Sequence, residues 1–319
     1  MVKLPDLQTI REARKLLDQY LPVTQMKPAP SLSRAGVPVY LKVETELPTG
    51  SFKPRGAFYA LSANLAQRRV EEVTASSTGN HGAAVAFAAR ALGIRSTIFL
   101  PANPNPVKRK KISDLGARII ECGGAGDLAG AFQDASAYAA DPGIYFLNDA
   151  TDPAVPVGTA TIGLEIAQQV PQVSAVYVPM GDTALIRGLA AALKQLIPKV
   201  MIIGVQAERA PSYYRSWKCG RAIPTDKCDT CADGLATCTP EPQNVEAIRQ
   251  LVDDVVLASE DQMLQAIAHL YKEEGVLAEA AGAAATAAWL ARPSKEGSAV
   301  LMVTGANISD DVRRRAGVL

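Results

Sequence analysis

Val73-Thr74-Ala75-Ser76-Ser77-Thr78-Gly79-Asn80-His81-Gly82 is the stretch that decides the fold class. Residues 73–76 are small or β-branched and read as a buried strand. A polar turn follows, and the Ala-rich run at 83–92 reads as a helix stopped by Gly93 at its C′ position. The same grammar repeats outward. Residues 96–100 form a β-branched run closed by Pro101, then come a helix over 107–115, a strand at 118–120, a helix over 128–139 and a strand at 144–147. The second half continues with a helix at 162–169, a strand at 175–178, a helix at 185–196 and a strand at 200–205. Helices at 244–251, 261–274 and 278–291 and a strand at 299–303 complete the reading. Strands separated by crossover helices predict an α/β fold of open, mainly parallel sheets with helices on both faces. Residues 218–243 carry Gly, Pro and four of the cysteines and read as a long surface excursion.

The 319 residues suit two domains at roughly 150 each. With 33 basic and 32 acidic residues the net charge is +1, so no global field draws nucleic acid or an anionic membrane. Aromatics are 5% of the chain, too few for single-strand stacking platforms. Two histidines, His81 and His269, exclude a His-rich metal site, and His269 falls on a charged helix as a packing or surface residue. The apolar stretch 277–291 contains Glu279 and is shorter than the roughly 20 residues of a membrane span, so it reads as a buried helix. The N-terminus has no apolar leader core, and five cysteines is an odd number. The expectation is a reducing, cytoplasmic location. Cys228, Cys231, Cys238 and Cys219 invite a zinc reading, but their spacing fits no common ribbon, and incidental loop thiols are expected.

Four short motifs could carry chemistry. In Pro48-Thr49-Gly50-Ser51-Phe52-Lys53-Pro54-Arg55-Gly56, Gly50 and Ser51 read as turn and cap before a helix, with Pro54 in its first turn. Lys53 would sit at a helix N-terminus, where the dipole disfavours its charge and makes it a better amine nucleophile toward a carbonyl. Alone, it reads first as a solvated surface lysine. The hydroxyls and glycines at 76–82, ahead of a helix start, form an anion cup for a carboxylate or phosphate. Residues 178–188, again strand, turn and helix, lack both the Walker lysine and a dinucleotide fingerprint. Val303-Thr304-Gly305-Ala306-Asn307 closes a strand at the edge where ligands of open α/β sheets bind.

Taken in order, these motifs resemble the pyridoxal-phosphate enzymes of the tryptophan-synthase-β fold type (fold type II), in the branch of threonine/serine dehydratases and serine racemases. The resemblance spans residues 39–307. It implies a smaller inserted domain at 45–148 carrying the Asn80 loop, and a larger one from 1–44 and 149–319 with the phosphate turn and Thr304. It implies pyridoxal 5′-phosphate carried by Lys53, with Phe52 beside the ring and Asn80 bonded to the phenolic oxygen. Gly181, Asp182, Thr183, Ala184 and Leu185 would grip the phosphate, and Thr304 would face the pyridine nitrogen. Ser77, Thr78, Asn80 and His81 would bind the substrate, Lys53 would serve as general base, and the Thr78 hydroxyl stands where a second proton donor on the opposite face would be needed for racemisation. A small amino-acid substrate and a homodimer are implied, with no nucleic-acid or membrane partner. Residues 151–161 and 228–239 are expected over the substrate side chain.

This chain departs from the family pattern at the phosphate turn, which is commonly four glycines. Asp182 beside a phosphate is unfavourable unless its side chain points away, so its carboxylate is expected to face outward and there cap a neighbouring N–H or pair with Arg187. Gln206 and Ser212 stand where serine racemases hold a divalent cation, so no metal is expected. The implied activity is dehydration of a β-hydroxy amino acid such as threonine or serine to a 2-oxo acid and ammonia. The alternatives are an amino-acid racemase or a specialised dehydratase acting on an aryl-serine, a hydroxyaspartate or a hydroxyectoine-derived substrate. A nicotinamide-binding oxidoreductase is remote, because no G-x-G-x-x-G follows a strand.

Overall fold

Asp6 opens the first helix by accepting a hydrogen bond from the Thr9 N–H at 2.8 Å. The computed structural model describes residues 4–34, 36–77, 79–102, 104–122 and 128–319, with Leu128 and Ala129 as backbone only. In chain order these form α1 (Leu7–Leu17), β1 (Met26–Pro28), β2 (Val39–Val43), α2 (Pro54–Gln67), β3 (Glu72–Ser76), α3 (Asn80–Leu92), β4 (Arg95–Leu100) and α4 (Pro106–Asp114). Then follow β5 (Arg118–Glu121), α5 (Leu128–Tyr138), β6 (Ile144–Phe146), α6 (Val155–Gln169), β7 (Ala175–Pro179), α7 (Ala184–Leu196) and β8 (Met201–Ala207). The chain closes with α8 (Ser212–Cys219), α9 (Pro242–Leu251), β9 (Asp254–Ala258), α10 (Glu260–Glu274), α11 (Ala280–Ala291), β10 (Ala299–Val303) and α12 (Asp310–Ala316).

The strands form two sheets, ordered β1-β2-β10-β7-β8-β9 and β5-β4-β3-β6. Every pairing is parallel except β1 with β2. This is the expected α/β architecture of two open, mainly parallel sheets. Central strands such as β7 and β10 are buried on both faces and so read as unbroken apolar runs. Helix α11 is buried almost all round, its Trp289 donating to the Leu32 carbonyl at 3.0 Å. Among the described residues no helix is long and apolar enough to cross a membrane.

Helix α6 packs between α2 and α7 at backbone contact. A Cβ on Gly158 would lie 2.1 Å from the Arg55 carbonyl oxygen, and one on Gly188 of α7 would lie 2.2 Å from the Pro156 oxygen. Beside this contact sits a buried ionic cluster. The Arg55 guanidinium donates to Glu44 at 2.8 and 2.9 Å and to Glu165 at 2.6 and 2.9 Å. Lys42 donates to Glu165 at 2.5 Å, and Arg14 also bonds Glu165. Burial would push the Glu165 carboxyl up, but Arg55 first and Lys42 second hold it below the usual carboxylate range.

Several expectations are corrected. Helix α6 starts at Val155 rather than 162, with Pro156 in its first turn. Elements α1, β1, β2, α8, β9 and α12 were not assigned from the sequence. Ser51 does not cap α2: it pairs with Gly305 in an isolated bridge, and Lys53 is the N-cap without a side-chain cap bond. Residues 218–231 do run over the surface, but the excursion turns inward from 232, where Ala232 and Leu235 lie in the core. Cys228 and Cys238 are joined as a disulfide rather than left as loop thiols, while Cys122, Cys219 and Cys231 are free. His269 shares a hydrogen bond with Ser31 Oγ at 2.7 Å.

Glu165→Gln should cost about 3–5 kcal/mol in urea unfolding, because it strands buried cations with one carboxylate. A loss under about 1 kcal/mol would reduce the cluster to the worth of surface pairs. The folded-state pKa of Glu165 is depressed, so its contribution is present above the ordinary glutamate range, roughly 4–5, and fades as pH falls below it. The stability gap between wild type and Glu165→Gln should therefore narrow in acid.

Candidate active site

The carboxyl ends of β3, β7 and β10 face a common cavity of about 520 Å³ between the two sheets. Strand β3 delivers Ser76 and Ser77, the turn after β7 delivers Gly181, Asp182 and Thr183, and β10 delivers Thr304. Phe52 and Lys53 enter from the start of α2, and Asn80 and His81 from the start of α3. The structure thus gathers Phe52, Lys53, Ser77, Asn80, His81, Gly181, Asp182, Thr183, Leu185 and Thr304 around one cavity. Ala184 is buried as the first residue of α7. Thr78 lies outside the described residues.

Lys53 is not deprived of charge partners, as its helix position alone had suggested. Its Nζ donates to Asp149 at 2.5 Å and to Asp182 at 2.6 Å. Burial alone would lower its pKa, but the two carboxylates outweigh burial and hold it above the ordinary lysine value. Asp149 is held well below its usual range against burial, by His81 and then Lys53. Asp182 does not face outward as expected: its Oδ1 caps the Ala184 N–H at 2.8 Å, but the carboxylate lines the cavity because Lys53 draws it in. Its other oxygen turns inward to Lys53 rather than pairing with Arg187.

The remaining side chains are closely engaged. Ser77 Oγ accepts from the N–H groups of Gly79 and Gly82, each at 2.9 Å, which leaves its own hydrogen to donate. Asn80 accepts from Asn307 at 2.8 Å and donates to Glu279. His81 Nε2 lies 2.9 Å from the Leu147 carbonyl, an acceptor only, so this nitrogen carries the hydrogen. Its Nδ1 is 3.5 Å from Asp149.

Sequence reasoning missed several cavity residues. Buried Lys108 donates to Asp233 at 2.7 Å and lies 3.0 Å from Glu279. Burial would lower the Lys108 pKa, yet the two acids raise it, while burial raises that of Glu279. Glu279 was visible as the lone acid opening an Ala-rich helix. Lys108 and Asp149 carried no such mark. Residues 233–239 line the cavity, within the expected stretch 228–239, but 151–161 do not. The wall there is Asn148, Asp149 and Ala150, and Thr159 and Thr161 instead bond backbone carbonyls inside the α6 packing. Gln206 accepts from the Tyr214 N–H and Ser212 bonds the Thr237 carbonyl.

These residues suit a phosphorylated carbonyl cofactor. An amine stands in the cavity, the first turn of α7 presents N–H groups that have no partner within the helix, and Ser76 Oγ is buried without a hydrogen-bond partner. The sequence profile described as "pyridoxal-phosphate dependent enzyme" matches residues 17–305, and the chain belongs to that family. Within it, the chain is a lyase of the threonine/serine dehydratase-like branch of fold type II, and its cofactor is pyridoxal 5′-phosphate. It is 36% identical over 304 residues to the L-threonine ammonia-lyase of Thermotoga maritima, covering 95% of this chain and 75% of that one. Among solved structures it is similar to maize serine racemase, with a TM-score of 0.91, 26% identity and coverage of 99% and 97%. It is also similar to a T.th. threonine deaminase, with a TM-score of 0.86, 30% identity and coverage of 95% and 98%.

Lys53→Ala should abolish the mass addition that borohydride leaves on wild-type protein loaded with pyridoxal phosphate. A retained addition at full stoichiometry would move the attachment elsewhere. Capture of the cofactor by stripped protein needs the neutral amine, so its rate should rise with pH. Asp182→Asn should shift that profile to lower pH by removing one of the acids that raise the Lys53 pKa. An unmoved profile would take Asp182 out of the pair.

Proposed function

We propose that the chain is an ammonia-lyase that dehydrates a small β-hydroxy amino acid, of the threonine or serine kind, to a 2-oxo acid and ammonia. The observation that carries this reading is the cavity's polarity: an amine set between two carboxylates at one place and the neutral hydroxyl of Thr304 at another. The L-threonine ammonia-lyase likeness supports the same substrate class.

Lys53 would hold pyridoxal phosphate covalently, Phe52 would pack beside the ring and Asn80 would bond its phenolic oxygen. The turn from Gly181 to Leu185 would take the phosphate, and Thr304 the ring nitrogen. The bound cofactor supplies a carbonyl carbon for the substrate amine and an electron sink for the bonds at Cα. Ser77 Oγ has a free hydrogen to donate to the substrate carboxylate, while His81, held by Leu147, shapes the wall beside it. Freed from the cofactor, Lys53 Nζ takes a proton from Cα and can hold it against Asp149 and Asp182. A hydroxyl at Thr304 offers no anion to stabilise a protonated ring nitrogen. This favours prompt loss of the β-hydroxyl, which leaves as water on taking up one proton.

The test is a panel of L- and D-threonine, L- and D-serine and bulkier β-hydroxy amino acids, assayed for 2-oxo acid and ammonia in equal amounts. Conversion of one enantiomer to the other without 2-oxo acid would replace dehydration by racemisation. Thr304→Asp should slow 2-oxo acid release at least about tenfold, since a carboxylate a hydrogen bond away would hold a proton on the ring nitrogen. An unchanged rate would remove Thr304 from that position.

A further inference from the structure

The turn after β7 keeps a glycine-like shape without glycine at its critical residue. Thr183 has φ +74°, the left-handed region, and is the only residue other than glycine to do so among the described residues. A β-branched side chain is strained there. Two buried side chains brace it. Arg187, one helical turn on, donates from Nε to Thr183 Oγ1 at 3.1 Å and from Nη2 to the Ala150 carbonyl at 2.9 Å. Asn244 of α9 donates to the same Ala150 carbonyl at 3.0 Å and to the Asp182 carbonyl at 3.3 Å. The guanidinium therefore joins the two segments that carry Asp149 and Asp182.

Charge sharpens the point. Asp149 and Asp182 share Lys53 as their cation. Covalent capture of the Lys53 amine would alter the cation that these carboxylates share, and a phosphate held by the turn would add negative charge near Asp182. Arg187 is buried, and its guanidinium feels the field of both acids. We propose that Arg187 is a positioning residue for the phosphate subsite, its fixed positive charge and its bond to Thr183 allowing a turn that carries an aspartate to hold a phosphate monoester. The inference rests on pyridoxal phosphate being the cofactor.

The experiment titrates cofactor-stripped protein with pyridoxal phosphate and, separately, with pyridoxal, which has the same carbonyl and no phosphate. Arg187→Met should weaken pyridoxal phosphate at least about tenfold, the scale of one close charge at intermediate dielectric, and leave pyridoxal within about twofold. Arg187→Lys, which keeps the charge, should stay within about threefold for both. Adding Asp182→Asn to Arg187→Met should recover most of the loss. If Arg187→Met does not fold, Arg187→Gln, neutral but still a donor, is read by the same criteria. Unchanged pyridoxal phosphate affinity in the neutral variant would overturn the proposal, as would equal losses for both ligands, the mark of a merely structural role. Wild-type protein that binds neither ligand would overturn the cofactor assignment, and the proposal with it.

Discussion

The buried cluster of Arg55, Glu44, Glu165 and Lys42 is the constraint on which the site depends. Arg55 lies two residues after Lys53, so fixing its guanidinium between two carboxylates fixes the start of α2 and the backbone that aims the amine. Such a cluster is a weak source of net stability, because desolvating the charges offsets most of their attraction. It is a strong source of geometry. A misplaced Arg55 would leave Glu44 and Glu165 buried and short of a partner, so alternative packings of α2 against α6 are disfavoured.

Much of the architecture was readable because its signals are local. The strand at 73–76, the stop at Gly93 and the strand at 299–303 each follow from composition within a few residues, and β10 spans Ala299–Val303. Phe52, Lys53, Asn80, Asp182 and Thr304 were nameable because each sits in a short motif at a strand-to-helix junction. The carboxylates that decide the state of Lys53 were less legible. Asp149 lies in the irregular segment after β6, where no periodicity distinguishes a lining residue from a solvated one. The charge of Lys53 was misjudged for the same reason: a helix dipole can be read along the chain, whereas two acids brought in from 96 and 129 residues away cannot.

The segment before α9 makes a related point. Gly, Pro and cysteine content suggested an exposed loop, yet Leu235 is in the core and Asp233 reaches Lys108 over the cavity. Loop composition reports the absence of regular structure and not the absence of burial. Here a single 3-10 turn at Asp233–Leu235 and the residues after it bring a run of short side chains to the cavity.

The backbone contacts of α6 have a mechanical consequence. With no side chain between α6 and α2 at Gly158, or between α6 and α7 at Gly188, there is nothing compressible at either joint. The three helices form one stiff strut. Lys53 stands at the start of α2 and the turn from Gly181 to Thr183 just ahead of α7, so both are tied to α6 through contacts that leave no slack.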